Sequence, residues 1–459
     1  MIAKTWYGSA LARMRLPVVP IAFTCVLFAA AMWAAVFGAS LGVSLALALL
    51  PLLLALSWSQ PLLFPYGAYV MLVPFDLLLS IPQLGTVARL CGALSGVVLL
   101  LWLVRNRRIV LPGPAVAVWG LFVLWSCISN VWAPDWSNAM RESGTLLQLL
   151  GLYAIVSLVP AAPRDVAIVF GAVVLGGAVA AIFGIRELAH LSVAQQLINQ
   201  VSDRIPLLVG ASRLDINEFA DSLLLPMALV SAGTVRTHSI PLKVCGVGVI
   251  AGLLYAMSLA ASREAFVAVA LMFGYFIAVL PERRQIIAIG VVLAGLAAGN
   301  GNLVARFLSA SVSGGSGRLS IWTAGLAAFR QHWTFGSGSG SFATAYDQVY
   351  LKIFQPYDMG WSRAAHNMLI QNGVEYGIVG LLLLATAVIL TIRTLPKLRT
   401  DHPLFGMRAG VVGAILALSV AGFFVDLTTA KFFWLALALA ALLRAAVVAT
   451  PVHPRRAAS

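Results

Sequence analysis

The sequence predicts an all-α fold, a polytopic bundle of about 12–14 transmembrane helices with a helical lobe inserted on the extracytoplasmic side. Three observations carry this. Hydrophobic residues make up 61% of the 459 and charged residues only 10%, with a mean hydropathy of +0.95, a balance that no soluble globule has. Apolar runs of about 17 to 25 residues recur along the whole chain, each long enough to cross a bilayer as a helix. The Lys and Arg residues, finally, are sorted between alternate loops.

The runs lie at 17–37, 40–57, 62–80, 87–104, 115–132, 144–160, 166–185, 217–233, 244–261, 265–281, 286–302, 367–392, 409–427 and 432–449. They must be helical, because backbone groups in hydrocarbon have to be satisfied within their own segment. The first three are separated by short gaps, which leaves twelve or thirteen as alternative counts. The first run reads as a spanning helix, with no cleavable leader before it.

With the N-terminus inside, 18 of the 30 Lys and Arg fall in inward loops against 3 carboxylates, and the outward remainder is 12 cations against 13 carboxylates. That is the positive-inside pattern, with both termini cytoplasmic. The net charge of +14 therefore reports orientation and gives no argument for nucleic acid. Cys25, Cys91, Cys127 and Cys245 all sit inside apolar runs without metal-like spacing and read as small core residues.

Two outward loops are long, about 186–216 and 303–366, and function is expected where they meet the helix ends. Residues 1–459 read as one integral membrane domain, with 303–366 as its large outward loop. The first loop ends in Ser212-Arg213-Leu214-Asp215-Ile216-Asn217. A helix beginning near Asp215 places Arg213 at its outer lip and Asn217 one turn below. Arg213 is then either an interfacial cation or an anion-binding group held by polar neighbours. Ser262-Arg263-Glu264 is a charged pair in a tight turn between two apolar runs, either snorkelling or aimed at a ligand.

In the second loop Arg318 opens an amphipathic stretch in which Ile321, Trp322, Leu326, Phe329 and Trp333 recur at helical spacing. It could lie on the membrane surface with Trp322 and Trp333 at headgroup level. Phe335-Gly336-Ser337-Gly338-Ser339-Gly340-Ser341-Phe342 must be a turn; it lacks the Gly-Lys-Ser/Thr ending of a nucleotide-binding loop. His366 and Asn367 then sit at the outer mouth of a spanning helix whose Gly373, Gly377 and Gly380 read as a close-packing stripe. Glu375 lies about 13 Å further down the axis and needs a partner or a wet cavity.

This ordered set of elements resembles the O-antigen ligase and polymerase family of bacterial envelope enzymes. Carrying the resemblance are Arg213 with Asp215 and Asn217, Ser262-Arg263, Arg318-Leu319-Ser320-Ile321-Trp322, Phe335-Gly336-Ser337-Gly338, and His366-Asn367 ahead of Glu375-Tyr376-Gly377-Ile378-Val379-Gly380. It covers about residues 205–390; the N-terminal 200 match only in being polytopic.

The resemblance implies a transferase of the bacterial inner membrane with its active face periplasmic. It would take a glycan from undecaprenyl pyrophosphate, with lipid A core or a growing lipid-linked glycan as acceptor. Transfer would be inverting, without metal or other cofactor and without a nucleotide sugar. Guanidinium groups suit a leaving pyrophosphate, being permanently charged and able to grip phosphate oxygens in a fork, so Arg213, Arg263 and Arg318 are the candidate pyrophosphate-binding residues. His366, with an ordinary pKa of about 6.5, is the candidate acceptor of the hydroxyl proton. Asp215, Asn217, Glu264, Asn367 and Glu375 are expected in support, with the role of Glu375 open between structure and a lipid groove. The competing class is a transporter or flippase of lipid-linked sugars, which should show charges and helix breaks at mid-membrane in paired halves.

Overall fold

The computed structural model describes residues 50, 52–76, 80–81, 85–189, 207–209, 212–214, 216–260, 262–299, 318–353 and 363–449. These are almost entirely helical, as the composition requires. In order they form α1 (Tyr66–Leu72), α2 (Val87–Asn106), α3 (Pro114–Ser129), α4 (Trp136–Leu158), α5 (Pro163–Ala189), α6 (Ile216–Ser222), α7 (Leu224–Arg236) and α8 (Ile240–Ala260). Then follow α9 (Arg263–Val279), α10 (Arg283–Ala298), α11 (Arg318–Gln331), α12 (Phe342–Ile353), α13 (Met368–Arg393), α14 (Phe405–Ala421) and α15 (Lys431–Ala449).

Seven helical segments among the described residues are long and apolar enough to cross a membrane, and the chain is a polytopic helical membrane protein. α11 and α12 form the predicted lobe. The apolar run at 17–37 lies outside the described residues, and 40–57 mostly so.

The run at 62–80 is not one continuous span. α1 tightens into a 3₁₀ turn at Val73–Phe75, where Pro74 has no N–H to donate, and the chain then forms a short antiparallel hairpin, β1 (Ser80–Ile81) with β2 (Gly85–Thr86). The Thr86 hydroxyl accepts the Arg89 N–H at 3.2 Å and starts α2. A second hairpin pairs β3 (Leu207–Val209) with β4 (Ser212–Leu214) just before α6.

The core runs between α14 and its neighbours α7 and α9, and between α3 and α13. A Cβ on Gly413 of α14 would lie 2.6 Å from the Phe276 ring of α9, so only glycine permits that approach. Trp119 of α3 is fully buried against Phe122, Phe433 and Trp434, and its indole N–H donates to Thr391 Oγ1 at 3.2 Å. That one side chain joins α3, α13 and α15. Cys91 and Cys127 are half-buried, whereas Cys245 is exposed on α8, a departure from the expected core position.

The connections predicted to share the inward side do meet at one end of the bundle. There Arg236 pairs with Glu282 at 2.6 Å and donates to Thr400 O, Arg444 donates to Leu111 O, and Val110 N–H to Leu158 O. The other end carries the lobe. There Lys431, at the start of α15, pairs with Asp76 and donates to Thr86, fastening the first hairpin to the bundle.

Candidate functional site

The lobe is a two-helix unit with its own small core. Ile321, Ala324 and Ala328 of α11 pack on Phe342, Tyr346 and Val349 of α12, over Ala365 and Val374. Trp322 is therefore not a headgroup anchor: its indole N–H donates to Ala365 O at 3.1 Å and holds the chain beside His366, while Trp333 is exposed.

Between α11 and α12 the glycine-rich segment turns through three left-handed residues, Gly336 (φ 81°), Gly338 (φ 102°) and Gly340 (φ 65°). It threads against a break in α13 at Gly377, where φ is 66° and ψ −164°. The break frees backbone groups, and the turn satisfies them. Ser337 N–H donates to Val374 O at 2.8 Å, Gly338 N–H to Glu375 O at 2.9 Å, and Ile378 N–H to Trp333 O at 2.8 Å. Gly377 is thus a seat for the turn, a role different from the packing stripe expected of it: its missing Cβ would lie 2.3 Å from Thr334 O.

Glu375 is fully buried beneath this turn. Its carboxylate accepts the backbone N–H of Gly340 and of Phe342, both at 3.1 Å, and the Gln371 amide at 2.6 Å. It therefore caps the start of α12, where unpaired N–H groups and the helix dipole favour an anion. Of the two roles open in the sequence, this geometry supplies the structural one. The neighbouring Tyr376 hydroxyl lies 3.2 Å from each of Ser126 Oγ, Ser339 Oγ and Glu142 Oε1, tying α3, α4, the turn and α13 together. Arg141 donates to Asn138, whose amide donates to Gly340 O on the outer side of the same turn.

Three of the expected residues, Asn367, Arg318 and Glu264, lie at the segment that joins α14 to α15. Asn367 caps α13, its side-chain oxygen accepting Leu369 and Ile370 N–H, and its amide donates to Phe423 O at 3.0 Å. Met368 N–H donates to Gly422 O. Next along, the Phe424 ring lies 5.9 Å from the Arg318 guanidinium, and that guanidinium pairs with Glu264 Oε1 at 3.3 Å. Glu264 is 2% exposed and Arg318 13%, so the pair is largely shielded from solvent. Arg263, half-buried, opens α9 beside Glu264.

His366 precedes Asn367 with φ at +46°, a left-handed conformation that costs free energy in a residue with a Cβ. Asn367, Arg318 and Glu264 thus meet at the Phe423–Phe424 segment, with His366 and Arg263 next to them in the chain.

The first outward loop is placed less fully. Arg213 lies in β4, opposite Leu208, and so precedes the helix in a hairpin where the sequence put it at a helix lip. Its side chain, and Asp215 altogether, lie outside the described residues. Asn217 is buried within α6, as is Asp221 one turn on.

Asp426 was not legible as a candidate. It follows Phe423-Phe424, accepts the Thr428 N–H at 3.0 Å and hydroxyl at 2.6 Å, and through Thr428 reaches the Asn372 amide at 2.6 Å. Burial pushes its carboxyl up, against the two Thr428 bonds that pull it down. The available signal was a lone carboxylate at the end of the apolar run 409–427, two residues after a pair of aromatics.

Residues 248–385 match the family model described as O-antigen ligase. Over these residues the chain is similar to that family. The matched stretch runs from within α8 to within α13, and so includes Arg263, Glu264, Arg318, the glycine turn, His366 and Glu375. The Phe423–Asp426 segment and α6 pack onto it from outside its limits. No curated protein matches the chain.

Proposed function

We propose that this protein transfers a glycan from undecaprenyl pyrophosphate to an acceptor hydroxyl at the periplasmic face of the bacterial inner membrane. The observation that carries the reading is that Arg318, paired with Glu264, and Asn367, which follows the strained His366, both engage Phe423–Phe424, within and beside the stretch that matches the O-antigen ligase model.

In this reading Arg263 and Arg318 grip the pyrophosphate of the donor, with Arg213 as a third candidate for the same role. As the bond from the anomeric carbon to the pyrophosphate oxygen breaks, its electron pair leaves on the phosphate, where guanidinium groups stabilise it. The acceptor oxygen forms the new bond from the opposite side, which inverts the centre, and its proton passes to the His366 imidazole. Undecaprenyl pyrophosphate is the second product. Glu264 orients Arg318, Asn367 orients His366, and Glu375 holds the turn beneath them. Lipid A core and a second lipid-linked glycan are both suitable acceptors, since each offers a sugar hydroxyl.

The test is transfer in detergent by purified protein, with undecaprenyl-pyrophosphate glycan and either acceptor. Product on lipid A core identifies a ligase; a ladder of longer lipid-linked chains identifies a polymerase. His366→Ala should abolish product, and Arg263→Lys should lose most of it although the charge remains, because an ammonium cannot fork across phosphate oxygens. Folded protein that yields no product with either acceptor, or full activity in His366→Ala, overturns the proposal.

A further inference from the structure

We infer that the end of the bundle opposite the lobe holds a binding site for one anionic phospholipid, separate from the transfer site. Two adjoining cavities build it. The larger, about 820 Å³, lies between the end of α2, the turn before α5 and the last residue of α15, and is lined by Trp102, Arg105, Asn106, Arg108, Pro160 and Asp165 among others. The smaller, about 90 Å³, shares Trp102, Pro160 and Asp165 as a wall and is otherwise mainly apolar, with Pro61, Leu62, Leu63 and Ile168.

The larger cavity is basic. Its carboxylate, Asp165, accepts the Ala162 N–H at 2.8 Å and is occupied in starting α5, while Arg105 and Arg108 both line the space. Their placement follows from the way α2 ends. Arg107 takes a left-handed conformation, φ 50°, which stops the helix and turns the chain between Arg105 and Arg108, which line the same cavity. The Arg105 guanidinium stacks 4.0 Å over the Trp58 ring. Stacking uses the face of the fork and leaves its N–H edges in plane, the arrangement that suits phosphate oxygens.

The same helix carries an exposed apolar stripe. Leu94, Val97, Leu101 and Val104 follow one another at three- and four-residue spacing on α2, up to the residue before Arg105. A ligand that satisfies a basic cleft, an indole wall, an adjoining apolar cavity and an apolar stripe on the same helix carries a phosphate headgroup on an acyl chain. Basic pockets at the ends of membrane helices take such lipids.

The experiment compares phosphatidylglycerol with phosphatidylcholine of the same acyl chains, by native mass spectrometry and thermal unfolding of the whole protein in detergent. One phosphatidylglycerol should bind at least about five-fold more tightly than phosphatidylcholine, a difference near 1 kcal/mol. Arg105→Gln with Arg108→Gln should reduce it to the phosphatidylcholine level. Arg399→Gln, at an exposed cation paired with Asp401 away from the cavity, should leave it unchanged. Should the double variant lose its fold, Arg108→Gln alone serves the same comparison.

Equal binding of the two lipids, unchanged binding in the folded variant, or an equal loss in Arg399→Gln overturns the site in favour of diffuse surface attraction. Inorganic phosphate or glycerophosphate giving the same stabilisation overturns it in favour of a free-anion site.

Discussion

Arg318 and Glu264 stand 54 residues apart in the chain and meet at 3.3 Å, with Phe424 beneath the guanidinium. The pair fastens the lobe to the start of α9, so it is both a strut and, in the proposed mechanism, an orienting contact. Breaking a shielded ion pair from one side leaves the other charge stranded, at a cost of about 3 kcal/mol. Glu264→Ala is therefore expected to lower the unfolding temperature and to reduce transfer, and Glu264→Gln, which still accepts a hydrogen bond, to do less of both. Unchanged stability and turnover in Glu264→Ala would remove the pair from either role.

Glu375 is expected to act through the turn it holds. Glu375→Ala strands the Gly340 and Phe342 N–H groups, each costing about 1–3 kcal/mol if left buried and unpaired. Amide exchange at 336–342 should speed up selectively, ahead of any general loosening of α13. Glu375→Gln should give a smaller increase, since its one remaining oxygen can serve only part of the set. Exchange that stays as slow as in the parent would show that the turn does not depend on this carboxylate.

Gly377 and Gly144 form a contrasting pair. Gly377→Ala forces a side chain into a left-handed conformation and puts its Cβ 2.3 Å from Thr334 O, so folded yield should collapse. Gly144 lies in α4 with nothing within 4 Å of its would-be Cβ, and Gly144→Ala should be neutral or stabilise by up to about 1 kcal/mol. Yield after size-exclusion chromatography and unfolding temperature distinguish the two.

Asp426 makes stability depend on pH. Its carboxyl is raised by burial, so the folded state holds the proton more tightly than the unfolded chain does. The linked stability is fully present below the ordinary carboxylate pKa of about 3.9 and is lost as pH rises through the higher folded value. Asp426→Asn keeps an oxygen for Thr428 and cannot ionise. Its unfolding temperature relative to the parent should be higher at pH 8 than at pH 5. A difference that does not change with pH would show the carboxylate to be solvated.

The sequence by itself determined the class of the fold. Apolar length, charge sorting between loops and the requirement that backbone be satisfied in hydrocarbon leave only a helical bundle, and all three are local or periodic properties. It also supplied the ordered elements that resemble the O-antigen ligase family, whose model matches residues 248–385.

Tertiary structure decided what those elements touch. Glu375 as the cap of α12, Gly377 as the seat of the glycine turn, Trp322 as the tether of Ala365 and Asp426 behind Phe424 all depend on contacts across separate helices, which no periodicity encodes. The span expected at 62–80 failed for a related reason. Hydropathy there reads as a membrane helix, but the chain leaves the helix at the 3₁₀ turn that holds Pro74, and Asp76 after it pairs with Lys431 of α15, a contact across the fold. Composition chooses the solvent a segment prefers; packing chooses its partners.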